Sequence, residues 1–382
     1  AVIRALDVAS AGQFFLWLTT LYVVSFVANL GLDTYLLKQI SANASEFAPA
    51  KKRFAFVFSV VLAVLVVVAA SASARWLIVA LPFFALVAIN SRIMRAVGRY
   101  VSAGFLEVSA ISALAFLVLC GWVVVSPRVA IADVACAFVI SAVCLFLISE
   151  FLVGQSHTIW AGLDEKLLHL DRASLPFVVF PLLIFATQWL PVYFLARISD
   201  ESVSIFNIAV RFASLVTFVS ISIDSYLSPK FSRLHVLGEY AQIKKVVARF
   251  RGYSLIACIL FLLVYSCVGP WLITSWAGDA YADAYYVAIP VLLMYFSMLI
   301  GGPFQSFLLM SDQEALVNKV NVLALALVLF CCVSFIYFDA LTNVVAAFTL
   351  LFGRGIAAMV MMIKGMSYIE QRCALNDSAA TK

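Results

Sequence analysis

Residues 29–41 read NLGLDTYLLKQIS, and residues 220–232 read SISIDSYLSPKFS. Both copies run through a small or polar residue, an aliphatic, an aspartate (Asp33, Asp224), a hydroxyl residue (Thr34, Ser225), a tyrosine and a leucine, in the same register. Each closes an apolar run and is followed by cations, at Lys51, Lys52 and Arg53 in the first copy and at Lys244, Lys245 and Arg249 in the second. The chain therefore reads as a duplication. Internal repeats at this spacing are the signature of membrane proteins whose two like halves open alternately.

The composition fits that reading. With 65% hydrophobic and 12% charged residues and a mean hydropathy of +1.08 over 382 residues, there is too little polar surface to coat a water-soluble globule. The net charge of +5 does not point to nucleic acid, because the cations lie between apolar segments, where membrane orientation accounts for them. Seven of the eight cysteines fall inside apolar runs without C-x-x-C spacing and read as small hydrophobes, not disulfides or metal ligands.

At about 20 apolar residues per span, eleven helices are expected, at roughly 13–37, 54–73, 76–96, 101–125, 129–152, 174–196, 203–227, 251–275, 285–310, 317–337 and 341–364. The third is the softest, since Pro82 interrupts it. The alternate loops divide the cations unequally: 19 of the 25 lysines and arginines fall in one set and four in the other, which places the first set in the cytoplasm. Residue 1 then begins outside, so a lost first helix and an original count of twelve are expected. The sequence thus predicts an all-α polytopic membrane protein of two homologous bundles: residues 1–154, a cytoplasmic linker at 155–173, residues 174–366, and a cytoplasmic tail at 367–382. An amphipathic segment at 240–251 is expected to lie on the membrane surface, where its basic face attracts anionic headgroups or simply marks the cytoplasmic side.

The sequence has no phosphate loop of the G-x-x-x-x-G-K-[ST] type, no H-E-x-x-H, and no outer loop long enough for a catalytic domain. The expectation is a non-enzymatic protein without cofactor or metal. Charges inside apolar spans cost about 2.5–3.5 kcal/mol at mid-helix and are functional candidates by default. Five qualify as candidates: Asp33, Glu107, Arg211, Asp224 and Arg354. The plain alternatives are pairing of Asp33 with Lys38, of Asp224 with Lys230 and of Glu107 with Arg99 or Arg92, outward snorkelling of Arg211, and a peripheral place for Arg354 on the last helix. Gly301, Gly302 and Pro303 interrupt an apolar run and read either as a hinge or as a site of close packing.

Several stretches carry a resemblance. RALDVASAG at residues 4–12, GLDT at residues 31–34, SIFNIAVRFASL at residues 204–215 and SPK at residues 228–230 resemble elements of polysaccharide transporters, as do residues 271–281 and 302–313. Asp7-Val8 and Ser199-Asp200 depart from the family's usual Gly-Pro, and Ser204 from its turn glycine. On these motifs the chain resembles the Wzx-type oligosaccharide flippases of the multidrug/oligosaccharidyl-lipid/polysaccharide (MOP) exporter superfamily. The resemblance implies twelve helices in two six-helix bundles around a central cavity. It also implies transfer of a polyprenyl-pyrophosphate-linked oligosaccharide across the bacterial inner membrane, alongside a polysaccharide polymerase and chain-length proteins, with membrane lipids as neighbours. Arg211, Arg4, Arg197 and Arg354 are the expected substrate contacts, because arginine's planar fork suits phosphate. Asp33, Asp224 and Glu107 are the ion-coupling candidates. A multidrug exporter of the same superfamily is the alternative, and it would be expected to bind cationic drugs through buried carboxylates.

Overall fold

The computed structural model describes residues 21, 24–42, 48–69, 77–125, 131–153 and 174–380. Among these are thirteen α-helices: α1 (Leu32–Ser41), α2 (Ala48–Ala69), α3 (Leu81–Ala96), α4 (Tyr100–Phe105), α5 (Val108–Val125), α6 (Ile131–Val153), α7 (Leu175–Leu195), α8 (Asp200–Ala213), α9 (Thr217–Val236), α10 (Tyr240–Ala277), α11 (Ala284–Met310), α12 (Glu314–Tyr337) and α13 (Asn343–Ala380). Two 3-10 turns, Ser214–Val216 and Asp279–Tyr281, join α8 to α9 and follow α10.

The chain divides into two compact units, residues 1–179 and 180–382. In the first, α3 is central: α1, α2, α4 and α6 pack on it, and α5 packs on α6. In the second, α11 takes that place, with α8, α9, α10, α12 and α13 against it and α12 on α13. The pairs correspond one to one: α1 on α3 with α9 on α11, α2 on α3 with α10 on α11, α3 on α6 with α11 on α13, and α5 on α6 with α12 on α13. The duplication read from 13 residues is thus a duplication of packing.

The central position of α3 follows from its sequence, LPFFALVAINSRIMRA, which is apolar on nearly every face; Leu81, Phe84, Leu86, Ile89, Ile93 and Met94 have no exposed surface. Pro82 does not interrupt this helix. It sits in the first turn, where a missing N–H leaves no bond unmade, and the span expected at 76–96 turns at residues 79–80 just before it.

Seven described helical segments are long and apolar enough to cross a membrane: 132–153, 175–195, 202–236, 240–275, 284–310, 314–337 and 343–376. Exposed Ile256, Ile259, Leu260, Leu263 and Val264 on α10 form the apolar face that hydrocarbon would cover. This is a multi-pass membrane protein.

Three expected boundaries change. The span expected at 13–37 breaks at residues 29–31, where Leu30 (φ 50°) and Gly31 (φ 65°) turn left-handed before α1 begins. Gly31 also lies so close to the start of α7 that a Cβ would come within 2.7 Å of the Phe177 and Val178 backbone; only glycine meets both conditions. The span expected at 101–125 breaks at residues 106–107, between α4 and α5. The amphipathic segment at 240–251 is not a separate surface helix, since it runs without interruption into the span as α10. Both α10 and α13 extend for 38 residues, and α13 takes in most of the stretch expected as a tail.

Candidate functional site

Each unit contains a polar cluster, and the two are built differently. In the first unit Lys52 is fully buried and its Nζ donates to Glu150 Oε1 at 2.6 Å. Asn90 Nδ2 donates to the same oxygen at 2.7 Å and to Ser149 Oγ at 2.8 Å. Arg95 Nη2 donates to Glu107 Oε1 at 2.8 Å, and Arg92 Nε lies 3.8 Å from Asp33 Oδ2. Every one of these cations meets a carboxylate.

This geometry corrects several expectations. Lys51, Lys52 and Arg53 are buried inside α2 and are not a loop. Asp33 pairs with Arg92, while Lys38 lies over the Phe177 ring at 5.5 Å. Glu107 pairs with Arg95, and Arg99 Nη1 instead donates to the Leu152 carbonyl at 2.6 Å. Arg4 and the linker at 155–173 lie outside the described residues.

In the second unit a cavity of about 190 Å³ opens between α9, α11 and α13. Ser220 and Asp224 line it from α9, Tyr295 and Gln305 from α11, and Arg354 from α13. Asp224 faces it because one turn of α9 separates Ser220 from Asp224 on the same side. Asp224 Oδ1 accepts a hydrogen bond from Ser306 Oγ at 2.7 Å, in place of the expected pairing with Lys230, whose Nζ reaches the Tyr226 hydroxyl at 3.3 Å.

Arg354 is the unusual member. Only 2% of it is exposed, so it is central to the unit and not peripheral. Gly353 accounts for this placement: it packs against Val328 and the Ala324 carbonyl of α12, leaving no room for a Cβ, so α12 and α13 close around the guanidinium. Nη1 donates to Asn321 Oδ1 at 2.7 Å and Nη2 to Met298 Sδ at 3.7 Å, and Nε has no partner among the described residues. A guanidinium held by an amide and a thioether remains electrostatically unanswered, and an anion entering the cavity gains that attraction.

Gly301, Gly302 and Pro303 all lie within the continuous α11. Gly301 is a contact point, since a Cβ there would sit 2.9 Å from the Ala358 carbonyl of α13. Gly302 faces the cavity, with nothing within 4 Å of where its Cβ would be. Arg211, in the last turn of α8, is exposed and outside this cavity; Arg197 is also exposed, and its Nη2 donates to the Tyr193 hydroxyl at 2.8 Å. Sequence reasoning missed Lys52, Glu150, Asn90, Tyr295 and Asn321. Glu150 alone carried a signal, being an acid inside the span expected at 129–152.

No family model matches the sequence, and no curated protein does. Solved structures match over nearly the whole chain. A mutant of the Vibrio cholerae MATE transporter VcmN aligns with a TM-score of 0.77 at 15% identity, covering 95% of this chain and 89% of that one. The bent form of VcmN gives 0.72 at 16% identity with the same coverage. A MOP-superfamily transporter from Pyrococcus furiosus, described by the reverse polarity of its binding pocket, gives 0.71 at 15% identity over 95% and 88% of the two chains. The chain has the fold of these transporters. Within it, the cavity at Arg354 belongs to the second of the two repeats.

Proposed function

We propose that this protein is a flippase that carries a polyprenyl-pyrophosphate-linked oligosaccharide, a repeat unit of O-antigen, capsule or exopolysaccharide, across the bacterial inner membrane by alternating access. The observation that carries this reading is Arg354, a buried cation with neutral partners at a cavity in a MOP fold. A diphosphate cannot cross about 30 Å of hydrocarbon unaided, and a desolvated guanidinium offers it two parallel hydrogen bonds. The Pyrococcus furiosus protein supports the use of pocket polarity as a guide, since its different function is argued on that ground. Arg4, Arg197 and Arg211 are further candidate contacts along the path. With the cell interior negative, moving about two negative charges outward gains roughly 4–5 kcal/mol per 100 mV, so potential alone biases export without ATP.

A second reading has its own observation. Asp224 lines the same cavity, as a site for a cationic amphiphile would require, and this favours a multidrug exporter. Proteoliposomes with an imposed potential and a fluorescent lipid-linked oligosaccharide separate the two. The flippase reading expects Arg354→Ala to abolish flipping, Arg354→Lys to retain part of it, and Asp224→Asn to leave substrate binding intact. Full flipping in Arg354→Ala, together with loss of cationic-dye export in Asp224→Asn, establishes the exporter instead.

A further inference from the structure

A second recess in the second unit lies away from the Arg354 cavity. It has a volume of about 110 Å³ and forms a wedge between α10 and α13. Phe304 of α11 floors it, drawn in because Gly365 has no side chain; a Cβ on Gly365 would lie 2.8 Å from Phe304 Cδ1. Met366 and Ile369 form the α13 wall. On the other wall Lys244 and Arg251 stand seven residues apart, two turns along one face of α10. Their Cα atoms are about 10 Å apart along the axis, close enough for both flexible side chains to reach one headgroup. Glu370, the acid at the rim, lies 3.9 Å from Lys244, and both are more than half exposed.

Lys245 and Arg249 are carried on the same turns of α10 but do not line the wedge, and Lys364 and Arg372 are on α13. Residues 244–251 of α10 and 364–372 of α13 together carry six cations against one acid, Glu370. The wedge lies at the cationic start of α10, which continues unbroken into a stretch long and apolar enough to cross a membrane, so headgroups would meet it there. An apolar recess roofed by two cations at that depth has the chemistry of an anionic amphiphile: acyl carbon against Phe304, Met366 and Ile369, and phosphate at Lys244 and Arg251.

We propose that this wedge is a binding site for an anionic phospholipid, separate from the transport path. The site selects the lipid by headgroup charge and by its apolar floor together. Glu370 sets the limit on affinity, because it competes for Lys244.

The test uses the full chain purified in detergent, titrated with phosphatidylglycerol or phosphatidylcholine of matched acyl chains and read by native mass spectrometry and by thermal unfolding. Phosphatidylglycerol is expected to bind with one preferred stoichiometric copy and to raise Tm, while phosphatidylcholine does neither. Lys244→Ala with Arg251→Ala is expected to weaken binding roughly thirtyfold, from the loss of two cations near the surface. Lys245→Ala with Arg249→Ala removes the same charge outside the wedge and is expected to leave binding within about threefold. Ile369→Trp fills the recess from its α13 wall without changing charge and is expected to weaken binding as well. Equal losses in the two double variants would reduce the effect to diffuse surface attraction and overturn the site. Equal binding of phosphatidylcholine, or an equal Tm rise with inorganic phosphate alone, overturns it too.

Discussion

The two halves share a repeat and a packing plan, yet the cluster around Glu150 in the first and the one around Arg354 in the second handle a buried cation differently. In the first half three cations sit on carboxylates, Lys52 on Glu150, Arg95 on Glu107 and Arg92 beside Asp33, while buried Lys51 donates to the Gln39 amide oxygen at 3.1 Å. The second holds Arg354 with an amide and a sulfur and leaves a cavity at its side. A neutralised pair gains nothing further from a charged visitor, whereas an unanswered guanidinium gains a great deal. On the function proposed above, this difference assigns the anion to the second half.

Removing one cation from each half gives the sharpest test. Lys52→Met strands the buried Glu150 and is expected to cost about 3–5 kcal/mol of stability. Arg354→Met removes a buried charge that has no carboxylate, and is expected to be neutral or stabilising by about 1–3 kcal/mol while transport is lost. Thermal unfolding of the purified variants reads both. Equal destabilisation would erase the contrast between the halves.

The repeat itself differs in conformation. The position of Gly31 in the first copy is taken by Ser222 in the second, where the helix is unbroken and Ser222 Oγ donates to the Phe218 carbonyl at 2.8 Å. Gly31→Ala meets both a left-handed backbone and a close neighbour, so a loss of about 2–4 kcal/mol is expected. Ser222→Ala is expected to stay within about 0.5 kcal/mol. A tolerated Gly31→Ala would mean that the break is incidental to the fold.

The smallest effect is expected for the repeat aspartates. The Asp33–Arg92 pair is partly exposed and long, so Asp33→Asn is expected to cost less than about 1 kcal/mol. Asp224→Asn keeps an oxygen for Ser306 and is expected to leave stability unchanged while altering transport. A transport defect in Asp33→Asn as large as that in Asp224→Asn would put the two aspartates back on equal terms.

What could be read in the sequence was what one span or one repeat contains. Apolar length marked the helices, and the shared text at residues 29–41 and 220–232 announced two like bundles. The break at Gly31 was hidden, because glycine is ordinary in membrane helices and the neighbour that forbids a Cβ lies 146 residues later, at Phe177. The burial of Lys52 was hidden as well: a Lys-Lys-Arg run reads as an interface until Glu150, on another helix, is seen against it. Arg354 was singled out by its depth, but its isolation depends on Asn321 and Met298, neutral residues that no charge pattern would flag.

The length of α13 has a mechanical consequence. Its 38 residues extend about 57 Å, nearly twice the hydrocarbon thickness. From Arg354 to Asn376 the helix reaches about 33 Å. At that far end Asn376 Nδ2 donates to the Gly238 carbonyl at 2.7 Å, and Tyr368 rests edge-on against Tyr240, so the start of α10 is tethered to it. The arrangement is a lever arm with its load point beside the guanidinium. A tilt of about 10° at Arg354 carries the tethered end about 6 Å, from the same helical rise. A tilt of α13 at the 190 Å³ cavity would thus be passed, through the Asn376 and Tyr368 contacts, to the start of α10.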